Sequence, residues 1–274
     1  MSRYLLIFFL ILALASCDSL FFYPIKEQLV NPDEIGIAYE VHKIDDGKGP
    51  VLHGWLLKSK KQAKGTILHL HGNAENISTH VGSVYWLPEY GYNVFIFDYR
   101  GYGASDGITT LEGVQEDAVR AAKYVSNLQE IKGVPVYLFG QSIGAAVSIY
   151  LAARPEMKGY FKAVIVESPF AGYRKIARDK LRSLWLTYIF SYPLSFTVSS
   201  AYDPIDVVDR ISPTPLLIVY TSKDRIIDPY HSKELFEKAV EPKQIWEIPE
   251  LDHIQTFQLQ KNKMRLLQYL STNF

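Results

Sequence analysis

Residues Val136 to Ala146 read VYLFGQSIGAA, and this stretch decides how the chain folds. Val136 to Phe139 is apolar and long enough for a buried strand. Gly140, Ser142 and Gly144 then form G-x-S-x-G. From Ile143 to Ala153 the residues favour a helix, until Arg154 and Pro155 stop it. A strand, a sharp turn with a serine at its tip and a helix together make a nucleophile elbow. So tight a turn strains the serine backbone and demands very small neighbours, which Gly140, Gly144 and Ala145 supply. It lifts the Ser142 hydroxyl to a helix N-terminus, where the N–H of Ile143 aims at any oxyanion that forms. The motif alone also fits a glycine-rich turn with a passenger serine, so the rest of the chain must decide.

Seven further apolar runs flank it: Ile37 to Ile44, Val51 to Leu57, Thr66 to Leu70, Tyr92 to Phe97, Ala163 to Val166, Leu216 to Tyr220 and Gln244 to Ile248. The first two are expected to pair antiparallel across the turn Asp45-Asp46-Gly47. Helical stretches are expected over Thr79 to Glu89, Leu111 to Leu128, Ile143 to Ala153, Tyr230 to Ala239 and His253 to Leu270. Early strands followed by alternating strands and helices predict an α/β fold. Its sheet has about eight strands, mostly parallel, with helices on both faces.

Composition narrows the function classes. At 274 residues the chain suffices for one large domain or two small ones, and 48% hydrophobic with 21% charged residues is an ordinary globular balance. The 29 basic and 29 acidic residues cancel, which leaves no global basic field for nucleic acid. A single cysteine, Cys17, excludes a disulfide framework and a cysteine metal site.

Residues 1–17, MSRYLLIFFLILALASC, read as a targeting segment. Arg3 is a minimal positive start, and Tyr4 to Ala15 is too short to span a bilayer comfortably but suits a signal core. Leu14-Ala15-Ser16-Cys17 resembles a bacterial lipoprotein box, which implies lipidation of Cys17 and an envelope protein anchored by several acyl chains. A plain signal peptide or an uncleaved anchor would also fit the apolar run. Asp18 resembles the residue that keeps such proteins in the inner membrane. Residues 18–32 are expected as a tether and 33–274 as the domain.

Candidate chemistry lies after the strands. Leu70-His71-Gly72-Asn73-Ala74 follows the third, and the N–H of Asn73 is a candidate second oxyanion donor beside Ile143. In Asp98-Tyr99-Arg100-Gly101-Tyr102-Gly103-Ala104-Ser105-Asp106-Gly107, after the fourth, Asp98, Arg100 and Asp106 read as loop-fixing. A nucleophilic serine needs a base and the base an orienting acid. Asp224 stands just past the seventh strand, while Asp228 reads as a cap for the helix from Tyr230. His253 follows the eighth. His69 and His71 have the spacing of metal ligands but no third ligand in support, so no metal is expected.

These motifs, HGNAEN, DYRGYGASDG, GQSIG, SKDRIID and LDH, resemble those of the α/β-hydrolase superfamily in order and spacing, from about Gln28 to Phe274. Within it they are similar to the bud-emergence-protein and depalmitoylase-like branch of serine hydrolases. The resemblance implies Ser142 as nucleophile, Asp224 as acid, His253 as base, and Asn73 and Ile143 as oxyanion donors, with no cofactor. LDH departs from a glycine-rich approach to the histidine, which leaves the pose of His253 open.

The segment 168–214, between the sixth and seventh strands, is too long for a bare connection, and the resemblance implies a helical cap there. It carries Arg174, Lys175, Arg178, Lys180 and Arg182, then Leu184, Trp185, Leu186, Tyr188, Ile189, Phe190, Tyr192, Leu194 and Phe196. It reads either as a solvated helix with core-packing residues or as an apolar acyl-binding wall whose basic neighbours meet anionic lipid. The expected reaction is hydrolysis of a small-molecule or lipid acyl ester or thioester. A serine peptidase and a non-catalytic binding lipoprotein of the same fold are the alternatives.

Overall fold

The structure, a computed structural model, describes residues 22–183 and 187–272. Eight strands form one sheet: β1 (Glu40–Ile44), β2 (Leu52–Leu57), β3 (Gly65–Leu70), β4 (Tyr92–Phe97), β5 (Val136–Gln141), β6 (Phe161–Glu167), β7 (Leu216–Thr221) and β8 (Lys243–Ile248). Their spatial order is β1-β2-β4-β3-β5-β6-β7-β8. The two pairings at the β1 edge are antiparallel, β1 with β2 and β2 with β4, and the remainder are parallel. This is the α/β-hydrolase architecture that the motifs implied. All loops that leave the parallel strands therefore emerge at one end, the carboxyl end of the sheet, where such folds build their sites.

Among the described residues the α-helices are α1 (Ile77–His80), α2 (Leu111–Asn127), α3 (Ile143–Ala152), α4 (Tyr173–Ser183), α5 (Ser191–Ser195), α6 (Tyr230–Lys238) and α7 (Gln260–Leu270). Alternate strand residues feed two cores. Leu68, Leu70, Leu138, Val164 and Ile218 pack with α2 and α3 on one face. Ile67, Val94, Phe139, Ile165 and Val219 pack with Leu266, Tyr269 and Leu270 of α7 on the other. Cover on both faces is why the central strands read as continuous apolar runs. Helix α2 follows from its sequence: Thr110 caps it by accepting from the N–H of Gly113 at 3.0 Å, and Leu111, Val114, Ala118, Ala121, Ala122 and Val125 form its buried stripe.

Two expected helices differ. Thr79 to Glu89 is broken into α1 and two tight turns, Val81–Ser83 and Leu87–Tyr90. Val84 leaves the helical region at φ −128°, and Gly91 ends the segment at φ 96°. The last helix starts at Gln260 rather than His253, because Ile254 lies at φ 47° and Leu259 is extended. β5 and β6 also run further than the apolar residues, to Gln141 and Glu167, which are paired in register.

The described part of the expected tether, residues 22–32, lies along the site loops instead of hanging free. Phe22 is buried. The N–H of Tyr23 donates to Asn73 Oδ1 at 3.0 Å, that of Ile25 to Glu75 O at 3.2 Å, and Asn76 Nδ2 to Ile25 O and Glu27 O at 2.9 and 2.7 Å. Cys17 and Asp18 lie outside the described residues, as do Leu184, Trp185 and Leu186. Among the described residues no helix is long and apolar enough to cross a membrane.

Gly144 is a tight backbone joint of this architecture. A Cβ there would overlap the backbone carbonyl oxygens of Leu70 and His71, which seat α3 against the loop after β3. Backbone atoms give way poorly, so Gly144→Ala should cost about 3 kcal/mol in urea unfolding. An unchanged midpoint would show that the two segments separate freely.

Candidate active site

Four connections at the carboxyl end of the sheet, after β3, β5, β7 and β8, carry the candidate catalytic residues Asn73, Ser142, Ile143, Asp224 and His253. Ser142 sits between β5 and α3 at φ 54° and ψ −119°, a conformation costly for a residue with a side chain. Its N–H donates to Glu167 O at 2.9 Å and its carbonyl accepts from Ala145 and Ala146 at 3.0 and 3.2 Å, so strand and helix both hold the turn. A Cβ at Gly140 would overlap Gly144 O and Ser148 Oγ, which explains the small residues on either side of the serine. Ile143 is the first residue of α3, and its N–H has no acceptor within the helix.

The loop after β3 passes directly beside Ser142: a Cβ on Gly72 would lie 3.6 Å from Ser142 Cβ. Asn73 comes next. Its side chain is occupied structurally, with Oδ1 accepting from the N–H groups of Tyr23 and Ala74 and from Tyr102 OH at 3.0, 2.8 and 2.9 Å. Any part in oxyanion binding thus falls to its backbone N–H. Ala74 and Glu75 both have left-handed backbone, at φ 63° and 58°.

Asp224 and His253 meet. His253 Nδ1–H donates to Asp224 Oδ2 at 2.7 Å, and the two side chains are only 10% and 3% exposed. Asp224 Oδ1 accepts from the N–H groups of Ile226 and Ile227 at 2.9 and 2.8 Å. Burial pushes the Asp224 carboxyl up, but the bond and charge of His253 and the two N–H groups outweigh it, and the net shift is below the ordinary carboxylate value. With Nδ1 donating, Nε2 is left as the basic nitrogen of the ring. Asp228 stays apart from this pair: its Oδ1 accepts from the N–H of Tyr230 at 3.0 Å, at the start of α6.

Asp252 ties the two loops together. It accepts from the N–H groups of His253 and Arg225 at 2.8 and 3.2 Å and from Arg225 Nε at 2.6 Å, and the guanidinium holds its carboxyl down to about 2. Ile254, a β-branched residue at φ 47°, turns the chain immediately after His253. Asp252 and this left-handed turn thus orient the histidine where a glycine-rich approach is missing.

Glu167 is the residue that sequence reasoning missed. It is fully buried, with Oε2 accepting from Gln141 Nε2 at 2.6 Å and Oε1 accepting from the N–H of Thr256 at 2.9 Å. Burial raises its pKa, opposed by these hydrogen bonds and by His253 nearby. It therefore joins the end of the serine strand to the loop of the histidine. The available signal was an acid directly closing the apolar run AVIV. Glu167→Ala leaves Gln141 and the Thr256 N–H unpaired and should lower kcat on the order of tenfold to a hundredfold. Glu167→Gln, which keeps an acceptor for Thr256, should recover most of it. Equal losses in both variants would assign the effect to the charge and not to the joint.

The loop after β4 behaves as scaffold. Asp98 Oδ1 accepts from the N–H of Ile77 at 2.9 Å, and burial pushes its pKa up to about 7. Arg100 grips Asp117 through Nε and Nη2 at 3.0 and 2.8 Å. His69 and His71 each bond a carbonyl through Nδ1, at 3.1 and 2.8 Å, and burial holds both well below the ordinary imidazole value. Among the described residues no three acids, histidines or cysteines are grouped to hold a metal.

Residues 61–211 match the family model described as serine aminopeptidase, S33. The chain is 34% identical over 241 residues to "Uncharacterized protein YfhR" of Escherichia coli K12, covering 86% of this chain and 80% of that protein. It is 31% identical over 199 residues to "Lysophosphatidylserine lipase ABHD12" of Danio rerio, covering 70% of this chain and 51% of the lipase. Among solved structures it is similar to the Pyrococcus furiosus esterase Pf2001, with a TM-score of 0.72 at 20% identity, covering 91% of this chain and 97% of the esterase.

Proposed function

The chain belongs to the α/β-hydrolase superfamily, and from that premise we propose that it is a serine hydrolase of carboxylic esters or thioesters. The observation that carries the proposal is the 2.7 Å bond from His253 to Asp224, at the same end of the sheet as the strained Ser142. Ser142 Oγ attacks the acyl carbonyl while its proton passes to His253 Nε2. Asp224 holds the imidazole and stabilises its charged form. The N–H groups of Asn73 and Ile143 stabilise the tetrahedral oxyanion, each donor contributing about 3 kcal/mol. The proton on His253 then leaves with the alcohol or thiol, and a water activated by the same ring releases the acid. No cofactor takes part.

An acyl ester, small or lipid, is the favoured substrate class. The lipase name of one relative supports the lipid case, and the family description supports a peptidase as the second reading. A panel of p-nitrophenyl esters, acyl thioesters and aminoacyl p-nitroanilides separates them. Esters or thioesters should exceed anilides by about a hundredfold or more in kcat/KM, a gap of roughly 3 kcal/mol. Faster anilide cleavage would make the chain a peptidase. No turnover in any class would leave a binding protein of the same fold.

The site would work at a bacterial envelope membrane, facing the periplasm or the exterior, held through a lipidated Cys17. Asp18 favours the inner membrane. Metabolic labelling with an alkyne fatty acid should mark the wild type and not Cys17→Ala. Equal labelling of both would remove the lipoprotein assignment.

A further inference from the structure

Helix α4 has two faces, and its arginines share one of them. Arg174, Arg178 and Arg182 recur every four residues and so line one stripe. Asp179 and Lys175 face α6 instead. Asp179 Oδ2 accepts from Tyr230 OH at 2.6 Å and pairs with His231 Nε2 at 3.0 Å, and Lys175 pairs with Glu234. Opposite the stripe, Phe196, Tyr192 and Tyr188 recur every four residues in the reverse direction. The guanidinium of Arg174 lies 5.1 Å from the centre of the Phe196 ring, that of Arg178 4.3 Å from Tyr192 and that of Arg182 5.8 Å from Tyr188. Three cation–π rungs thus clamp the aromatic run to the helix.

The clamp does not bury the run. The three rings remain more than half exposed, and beside them Ile189 and Phe190 are 74% and 54% exposed. None of the described residues Tyr188, Ile189 and Phe190 is buried, which separates this tip from a core-packing element. It is an apolar prominence with a basic flank.

Two described points of the chain lie at the same end of the sheet. α4 begins shortly after Glu167, at the carboxyl end of β6. Phe22 and Tyr23, the first described residues after the apolar run Tyr4 to Ala15 of the sequence, lie beside Asn73 at the carboxyl end of β3. A membrane reached by that run is therefore met on the side from which α4 emerges.

We propose that the Arg174–Arg178–Arg182 ladder with the tip Tyr188–Phe190 is a docking surface for an anionic lipid bilayer. Its two zones match the two layers of such a surface. Guanidinium forks bind lipid phosphates while keeping their ring contacts. The tyrosines sit at the headgroup level, and Ile189 and Phe190 enter the acyl boundary. Docking turns the end of the sheet that carries Ser142 toward the bilayer, so that a lipid substrate has a short path to the site. The inference uses the proposed N-terminal attachment for its direction and not the proposed chemistry, and its test involves no turnover.

The test is hydrogen exchange of the full chain reconstituted in phosphatidylcholine vesicles with and without phosphatidylglycerol, against detergent micelles. In the anionic vesicles, peptides spanning 187–196 should exchange on the order of tenfold more slowly than in micelles, while those of β5 are unchanged. Ile189→Ser with Phe190→Ser, at positions exposed enough to leave folding intact, should abolish that protection. Arg182→Gln should weaken it about fivefold, the share of one basic group at an anionic leaflet. Equal exchange in anionic vesicles and micelles overturns the proposal, as does equal protection with and without the anionic lipid. Protection that appears in micelles and grows with protein concentration also overturns it, assigning the tip to a second copy of the chain.

Discussion

Ser142→Ala should abolish hydrolysis, with kcat falling by roughly five to six orders of magnitude, as when a nucleophile is removed from a working triad. The same substitution should erase labelling by a fluorophosphonate probe, which needs an activated serine and no knowledge of the substrate. The fold should survive, because Ser142 is held by its backbone bonds to Glu167, Ala145 and Ala146 and not by its hydroxyl. Ser142→Gly sharpens the case. Glycine adopts φ 54° without a side-chain penalty, so this variant should be inactive yet more stable by about 1 kcal/mol. Labelling that persists in Ser142→Ala would move the chemistry to another residue. A folded wild type that never labels would favour the binding-protein reading.

Asp224→Asn is the second large effect. The amide keeps the shape of the carboxylate and still accepts from the N–H groups of Ile226 and Ile227. Its NH2, however, now faces His253 Nδ1, so the ring must present a lone pair there and carry its proton on Nε2, the wrong tautomer for a base. A loss of about 10⁴ in kcat is expected, with little change in KM. The pH dependence follows from the direction of the shift. The Asp224 carboxyl lies below its ordinary value, so it is already ionised where an imidazole titrates. The acid limb of wild-type kcat/KM should therefore show one proton. For stability, a lowered carboxyl contributes above the unfolded carboxylate pKa, and the contribution is lost as pH falls through the folded value. The stability advantage of wild type over Asp224→Asn should thus be largest near neutrality and vanish in strong acid. An advantage that grew on acidification would contradict the bond between Asp224 and His253.

Much of this architecture was legible because it is written in local patterns. VYLFGQSIGAA specifies a buried strand, a turn of small residues and a helix, all within one stretch of backbone. The order of the strands along the chain and their apolar runs follow from burial on both faces. Asp224 and His253 were singled out because the end of a parallel strand is a place that sequence marks, and the structure bonds them to each other. The helices lost in translation failed for equally local reasons. The one expected from Thr79 breaks at Val84, which lies at φ −128°, and the left-handed Ile254 delays the last one to Gln260. Ile254 was invisible beforehand, because a β-branched residue carries no preference for that conformation.

By itself the sequence determined the fold class and marked which candidate residues lie at one end of the sheet, since each depends on residue type and spacing along the chain. Only the tertiary structure decided what holds them in register. Glu167 reaches 89 residues along the chain to the N–H of Thr256. Residues 22–30 are sewn to the loop of Asn73, and three arginines of α4 pair with three rings that run the opposite way. These contacts join separate elements of the chain, and a hydrogen bond or a cation over a ring forms only when the elements have closed to within a few ångströms. Local propensity records which groups are present; the folded chain decides which of them touch.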